Sequence, residues 1–231
     1  MILLLLSCTP KIEAFPEDFR FGVATAGFQV EAGCPTVSVE ECEDPNSDWY
    51  QWVTDPELVE ESSLYLSGDP LSEAPGHYEL YEQDFDLAAE GLGVEMYRFS
   101  FEWSRLFPDG AAEQATTVDE LYDYVDADAL AWYHQYLTAM QAAGLEPVAT
   151  VNHYTLPLWV HDGKACYADP DGCTASGWLD EDRILPLIEM FSGFLAKEYG
   201  SDITLWMTLN EPIAVVLSGY LFPNEERTNP P

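Results

Sequence analysis

Positive charge is what this chain lacks. Its 231 residues carry 8 Lys and Arg against 42 Asp and Glu, a formal net charge of −34. With no cationic face to displace phosphate counterions, nucleic acid binding is excluded, and so is charge-driven attachment to an anionic membrane. The N-terminal apolar run, Met1-Ile2-Leu3-Leu4-Leu5-Leu6, is too short to span a bilayer and lacks the basic flank of an ordinary secretory signal. There is no Cys-x-x-Cys and no His pair at helical spacing, which removes the usual basis for a zinc site. No self-similarity at solenoid periods and no low-complexity linker divides the chain.

What is present describes a globular protein long enough to bury a large core in one domain. Seven Trp, thirteen Tyr and eleven Phe are a rich aromatic load, suited both to a core and to the walls of a sugar-binding cleft. The acidity fits a protein working in high salt, where self-repulsion is screened, and equally a generic acidic secreted protein. Cys34/Cys42 and Cys166/Cys173 bracket short polar loops, so two local disulfides and an oxidising compartment are expected, with free thiols as the alternative. Leu5-Leu6-Ser7-Cys8 resembles a bacterial lipobox. That resemblance implies lipidation of Cys8, membrane anchoring through the lipid and a cell-envelope or extracytoplasmic location; an apolar start without meaning, on a cytoplasmic chain, is the competing reading. Residues 1–14 are accordingly assigned as signal and tether, and residues 15–231 as the folded part.

Strand-like apolar runs alternate with helical patterns, the signature of an α/β fold with parallel strands. Strands are expected at residues 19–26, 94–100, 147–153 and 203–210. Helices are expected at 77–91, 121–143 and 183–199, with another beginning at 213. The acidic stretch 33–76 is too long for a simple connection, which predicts a functional or partly helical loop. Four strand–helix units are half of a (β/α)8 TIM barrel.

The motifs sit where such a barrel puts its chemistry, at the C-terminal tips of strands. Residues 19–33 read Phe-Arg-Phe-Gly-Val-Ala-Thr-Ala-Gly-Phe-Gln-Val-Glu-Ala-Gly. Residues 97–108 read Tyr-Arg-Phe-Ser-Phe-Glu-Trp-Ser-Arg-Leu-Phe-Pro. Residues 150–157 read Thr-Val-Asn-His-Tyr-Thr-Leu-Pro, and residues 206–212 read Trp-Met-Thr-Leu-Asn-Glu-Pro. In this order and at this spacing they resemble glycoside hydrolase family 1, the β-glucosidases and their relatives. The resemblance runs from Phe15 to about Tyr220.

It implies a retaining β-glycosidase, in which one carboxylic acid protonates the leaving oxygen and a second carboxylate attacks the anomeric carbon from roughly 5–5.5 Å away. Glu211 matches the acid/base. Asn210 matches the residue that hydrogen-bonds the sugar 2-hydroxyl; read without the family, it is a helix N-cap. Gln29 and His153 match sugar-binding positions beside the cleaved bond, and Gln can hold adjacent hydroxyls as donor and acceptor together. Arg98 matches an arginine that keeps the nucleophile ionised, and a charge on a barrel-interior strand requires a partner. Glu31, Trp103 and Arg105 read as scaffold. No metal or organic cofactor is implied, since two carboxylates carry the chemistry. The implied substrate is a β-linked glucoside or galactoside.

The pattern departs from the family at one point that matters. The nucleophile segment of the seventh strand, Thr/Ser-Glu-Asn-Gly-like, is not in this sequence, nor are the late Trp and Glu that read the sugar's 4- and 6-hydroxyls. The expectation is the N-terminal half of such an enzyme, inactive alone, with an Arg98 lacking its carboxylate partner and with exposed strand edges, and needing a C-terminal half-barrel to complete the site. A non-catalytic sugar-binding or relic lipoprotein is the alternative outside enzymes, and a 6-phospho-β-glycosidase the alternative within them.

Overall fold

A computed structural model of the chain describes residues 14–221 together with Asn229 and Pro230. Cys8 and almost all of the assigned signal segment lie outside the described residues. Four parallel strands form one sheet in chain order: β1 (Gly22–Ala24), β2 (Met96–Ser100), β3 (Glu146–Asn152) and β4 (Leu205–Leu209). Arg98 sits opposite both Ala24 and Val148, and Val148 opposite Leu205. This is the expected partial (β/α) barrel.

Alternation along the strands separates two faces. Tyr97, Phe99 and Phe101 of β2 and its end, with Ala149 and Val151 of β3, enter the main core. There they meet Tyr133, Tyr136, Leu137 and Met140 of the helix Ala127–Ala142, and Phe191, Phe194 and Leu195 of the helix Glu181–Tyr199. The intervening positions Arg98, Ser100 and Thr150 face the other side and carry the polar contacts of the site. A parallel strand covered by helices on only one face has room for polar residues on the other.

Helix boundaries differ from the sequence reading where a cap intervenes. The expected helix 121–143 begins instead at Ala127, after a separate 3-10 turn, Glu120–Asp123. Asp126 caps it, its carboxylate accepting from Asp128 N at 3.0 Å and Ala129 N at 2.8 Å. Capping satisfies otherwise orphaned N–H groups, so it overrides an apolar period that continues through the break. The expected helix 77–91 is α-helical over His77–Asp86 and widens to a π-turn, Leu87–Leu92, before Gly93 ends it at φ 68°.

The acidic stretch folds into short helices, Val39–Cys42, Asp48–Thr54 and Pro56–Glu60, the last two sharing a small core of Trp52, Leu58 and Leu64. Buried Asp48 fastens it to the body. Its carboxylate accepts from Leu156 N at 2.9 Å and meets His161 Nδ1 at 2.7 Å. Burial lifts this carboxyl above the ordinary carboxylate range, against the pull of His161. Disulfides join Cys34 to Cys42 and Cys166 to Cys173.

The sheet is open at both sides. At the β1 side, Phe15, Phe19 and Phe21 pack on one another yet stay exposed; at the β4 side, Met207, Leu209, Ile213 and Leu217 are exposed. In a closed barrel neither edge would face water.

Candidate active site

Each site residue is delivered by a strand end. Gln29 lies on the helical turn Gly27–Val30 that follows β1. His153 follows β3, and Asn210 and Glu211 follow β4. Together with Phe28, Trp49, Tyr154 and the segment 65–71, they line one open cleft of about 1050 Å³. The cleft thus unites Gln29, His153, Asn210 and Glu211, the outermost of which are 182 residues apart in sequence.

Glu211 is exposed and held in the left-handed backbone region, φ 42° and ψ 59°. A non-glycine residue there is uncommon and is kept by its surroundings. Pro212, at the first position of the following helix, fixes the exit of the chain. The Tyr154 hydroxyl donates to Glu211 Oε2. Tyr154 is itself in the left-handed region, at φ 75°, and lies against the Trp49 indole with centroids 6.0 Å apart. Neither Tyr154 nor Trp49 was singled out by sequence as a site residue. The only available signal was their aromatic character beside His153 and within the acidic stretch.

Asn210 is not a cap. The residue flanking the helix Pro212–Val215 is Glu211, and its side chain makes no capping bond. The Asn210 side-chain oxygen instead accepts from Arg98 Nη2 at 2.8 Å, while the Asn210 backbone N–H donates to Asn152 O at 3.0 Å. Arg98 does not belong to the cleft wall. From β2 it donates through Nε to Thr150 Oγ1 at 2.8 Å and through Nη2 to Asn210. Arg98 is expected to lack its carboxylate partner; among the described residues it makes no ion pair, and these N–H groups go to neutral acceptors instead.

The residues read as scaffold pair among themselves and with the core. Arg105 Nε donates to Glu31 Oε2 at 2.7 Å, and Trp103 stacks on Phe191 with centroids 4.7 Å apart. Beside them lies Glu102, a buried carboxyl that the sequence reading passed over.

The profile of glycosyl hydrolase family 1 matches residues 11–225. The chain belongs to glycosyl hydrolase family 1. Its relatives in the family include a beta-galactosidase of Saccharolobus solfataricus, 34% identical over 225 residues, and a beta-galactosidase of Pyrococcus woesei, 31% identical over 228 residues. These alignments take in 90% of this chain but only 44% and 43% of those proteins. Among solved family 1 structures, the beta-glycosidase of Thermosphaera aggregans superposes with a TM-score of 0.80 at 32% identity, covering 90% of this chain and 45% of that one. The chain thus spans less than half the length of these family members, and its four strands are a partial family 1 barrel.

Proposed function

We propose that this chain forms the acid/base half of a retaining β-glycosidase site. Glu211 protonates the glycosidic oxygen of a β-linked glucoside or galactoside, and Gln29, His153 and Asn210 hold the sugar next to the cleaved bond. The observation that carries this reading is the convergence of these four residues on one cleft at the strand tips. Family membership supports the reaction class. In this reading Arg98, on β2 and bonded to Asn210, pairs with a nucleophilic carboxylate supplied from a complementary half-barrel. A retaining mechanism requires that second carboxylate.

Complementation tests the proposal. The chain is mixed with the C-terminal half of a family 1 β-glycosidase and assayed on an aryl β-glucoside. Saturable hydrolysis only in the mixture, abolished by Glu211→Gln, is expected. Equal hydrolysis by the chain alone, or by a mixture containing Glu211→Gln, would reject it.

A further inference from the structure

Glu102 is 1% exposed, and it is buried beside Glu31 and Asp44, at 3% and 6%. Among the described residues, one cation, Arg105, serves the three carboxyl groups. Arg105 spends its Nε on Glu31 Oε2 at 2.7 Å and its Nη2 on the Cys42 carbonyl, so Glu102 receives no direct ionic partner from it. An apolar side chain of the same size would be the cheaper occupant of such a place. The contacts of Glu102 show what the carboxyl does there.

Its two oxygens reach in different directions. Oε1 accepts from Ser100 Oγ at 3.1 Å, and that hydroxyl accepts from Gly27 N at 2.8 Å. Gly27 opens the turn that carries Gln29. Oε2 and Thr155 Oγ1 share a hydrogen bond of 2.6 Å. Thr155 stands two residues past His153, and its carbonyl accepts from Asn152 Nδ2 at 2.8 Å, closing the His153 loop on itself. The approach to the first loop is close. A Cβ at position 27 would stand 2.5 Å from Glu102 Oε1 and 2.6 Å from Glu31 Oε1, so only glycine fits. The Glu102 backbone N–H, donating to Tyr133 Oη at 2.7 Å, ties the same residue to the helix Ala127–Ala142.

We infer that Glu102 is a positioning residue that fixes the Gln29 turn and the His153 loop relative to one another. This rests on the reading of Gln29 and His153 as sugar-binding. Burial, with the neighbouring Glu31 and Asp44 charges, pushes its carboxyl up to about 8, against the Thr155 hydrogen bond and the Arg105 charge. The groups facing it are Glu31, Asp44, Arg105 and the Tyr133 hydroxyl. The neutral acid therefore holds the junction, its Oε1 accepting from Ser100 and its Oε2–H donating to Thr155 Oγ1, and ionisation removes that donor and adds a negative charge beside Glu31 and Asp44.

Two measurements on the 231-residue chain decide the matter. The first is the amide-exchange protection factor of Gly27 by NMR, which needs no ligand. In the wild type it should fall as pH rises through about 8, while core amides such as Phe99 keep theirs. Glu102→Gln, which keeps both acceptor and donor, should remain protected and lose the pH dependence. Glu102→Leu should lose about tenfold or more in Gly27 protection at every pH, the worth of one hydrogen bond. A pH dependence unchanged in Glu102→Gln, or full Gly27 protection in a folded Glu102→Leu, would sink the inference; if Glu102→Leu does not fold, Glu102→Gln decides. The second is binding of a glucose-configured iminosugar by calorimetry. It should weaken about tenfold in Glu102→Leu and recover in Glu102→Gln. Absence of iminosugar binding to the wild type would count against the sugar-site reading and leave the Gly27 exchange to judge Glu102.

Discussion

Arg98 and Asn210 stand 112 residues apart in the chain and meet at 2.8 Å, guanidinium Nη2 to side-chain carbonyl. The bond spans from the second strand to the tip of the fourth and fixes the orientation of the Asn210 amide.

Double substitution measures that link. Arg98→Ala and Asn210→Ala should couple by about 1–2 kcal/mol in urea unfolding, as hydrogen bonds to a charged group do. Additive effects of the two substitutions would show that the contact carries no net energy.

Tyr154→Phe removes the hydroxyl that donates to Glu211 while keeping the ring beside Trp49. Because Glu211 is exposed, stability should change by less than about 1 kcal/mol. In the complemented barrel, kcat should fall about tenfold with KM little altered, since a misoriented acid impairs the reaction more than binding. A change confined to KM would assign Tyr154 to substrate contact instead.

Removing the Cys34–Cys42 bridge by Cys34→Ala with Cys42→Ala should cost about 2–3 kcal/mol on loop-closure entropy for so short a ring. The carbonyl of Cys42 also accepts from Arg105, so the loop bears on the buried carboxyl cluster. Denaturation midpoints with and without reductant check this; equal midpoints for the oxidised wild type and the double variant would contradict it.

With 42 acidic and 8 basic residues, self-repulsion should dominate the salt response. The thermal midpoint should rise steeply from low salt to about 1 M, where the screening length shrinks to about 3 Å. A flat response would mean that the exposed charges are spaced widely enough for water alone to screen them.

Much of the fold was legible because its signals are local. The four strand segments and the tip position of Glu211 follow from apolar runs and the turn residues bounding them, and the family motifs lie on those same short segments. The helix ending at Ala142 was misjudged at its start because Leu121, Tyr122 and Val125 continue an apolar period that Asp126 interrupts by capping. Periodicity reports which residues seek the core and is blind to a side chain that terminates the backbone ladder.

The sequence by itself determined the parallel α/β class, the strong acidity, and the strand-tip placement of Gln29, His153, Asn210 and Glu211. Only the tertiary structure decided how these are held. Arg98 on Asn210, Tyr154 on Glu211 and Glu102 between two loops are pairings across 112, 57 and 53 residues for the longest bond of each. Their partners are chosen by strand register and loop closure, physical outcomes of packing the whole sheet, and no spacing along the chain encodes them.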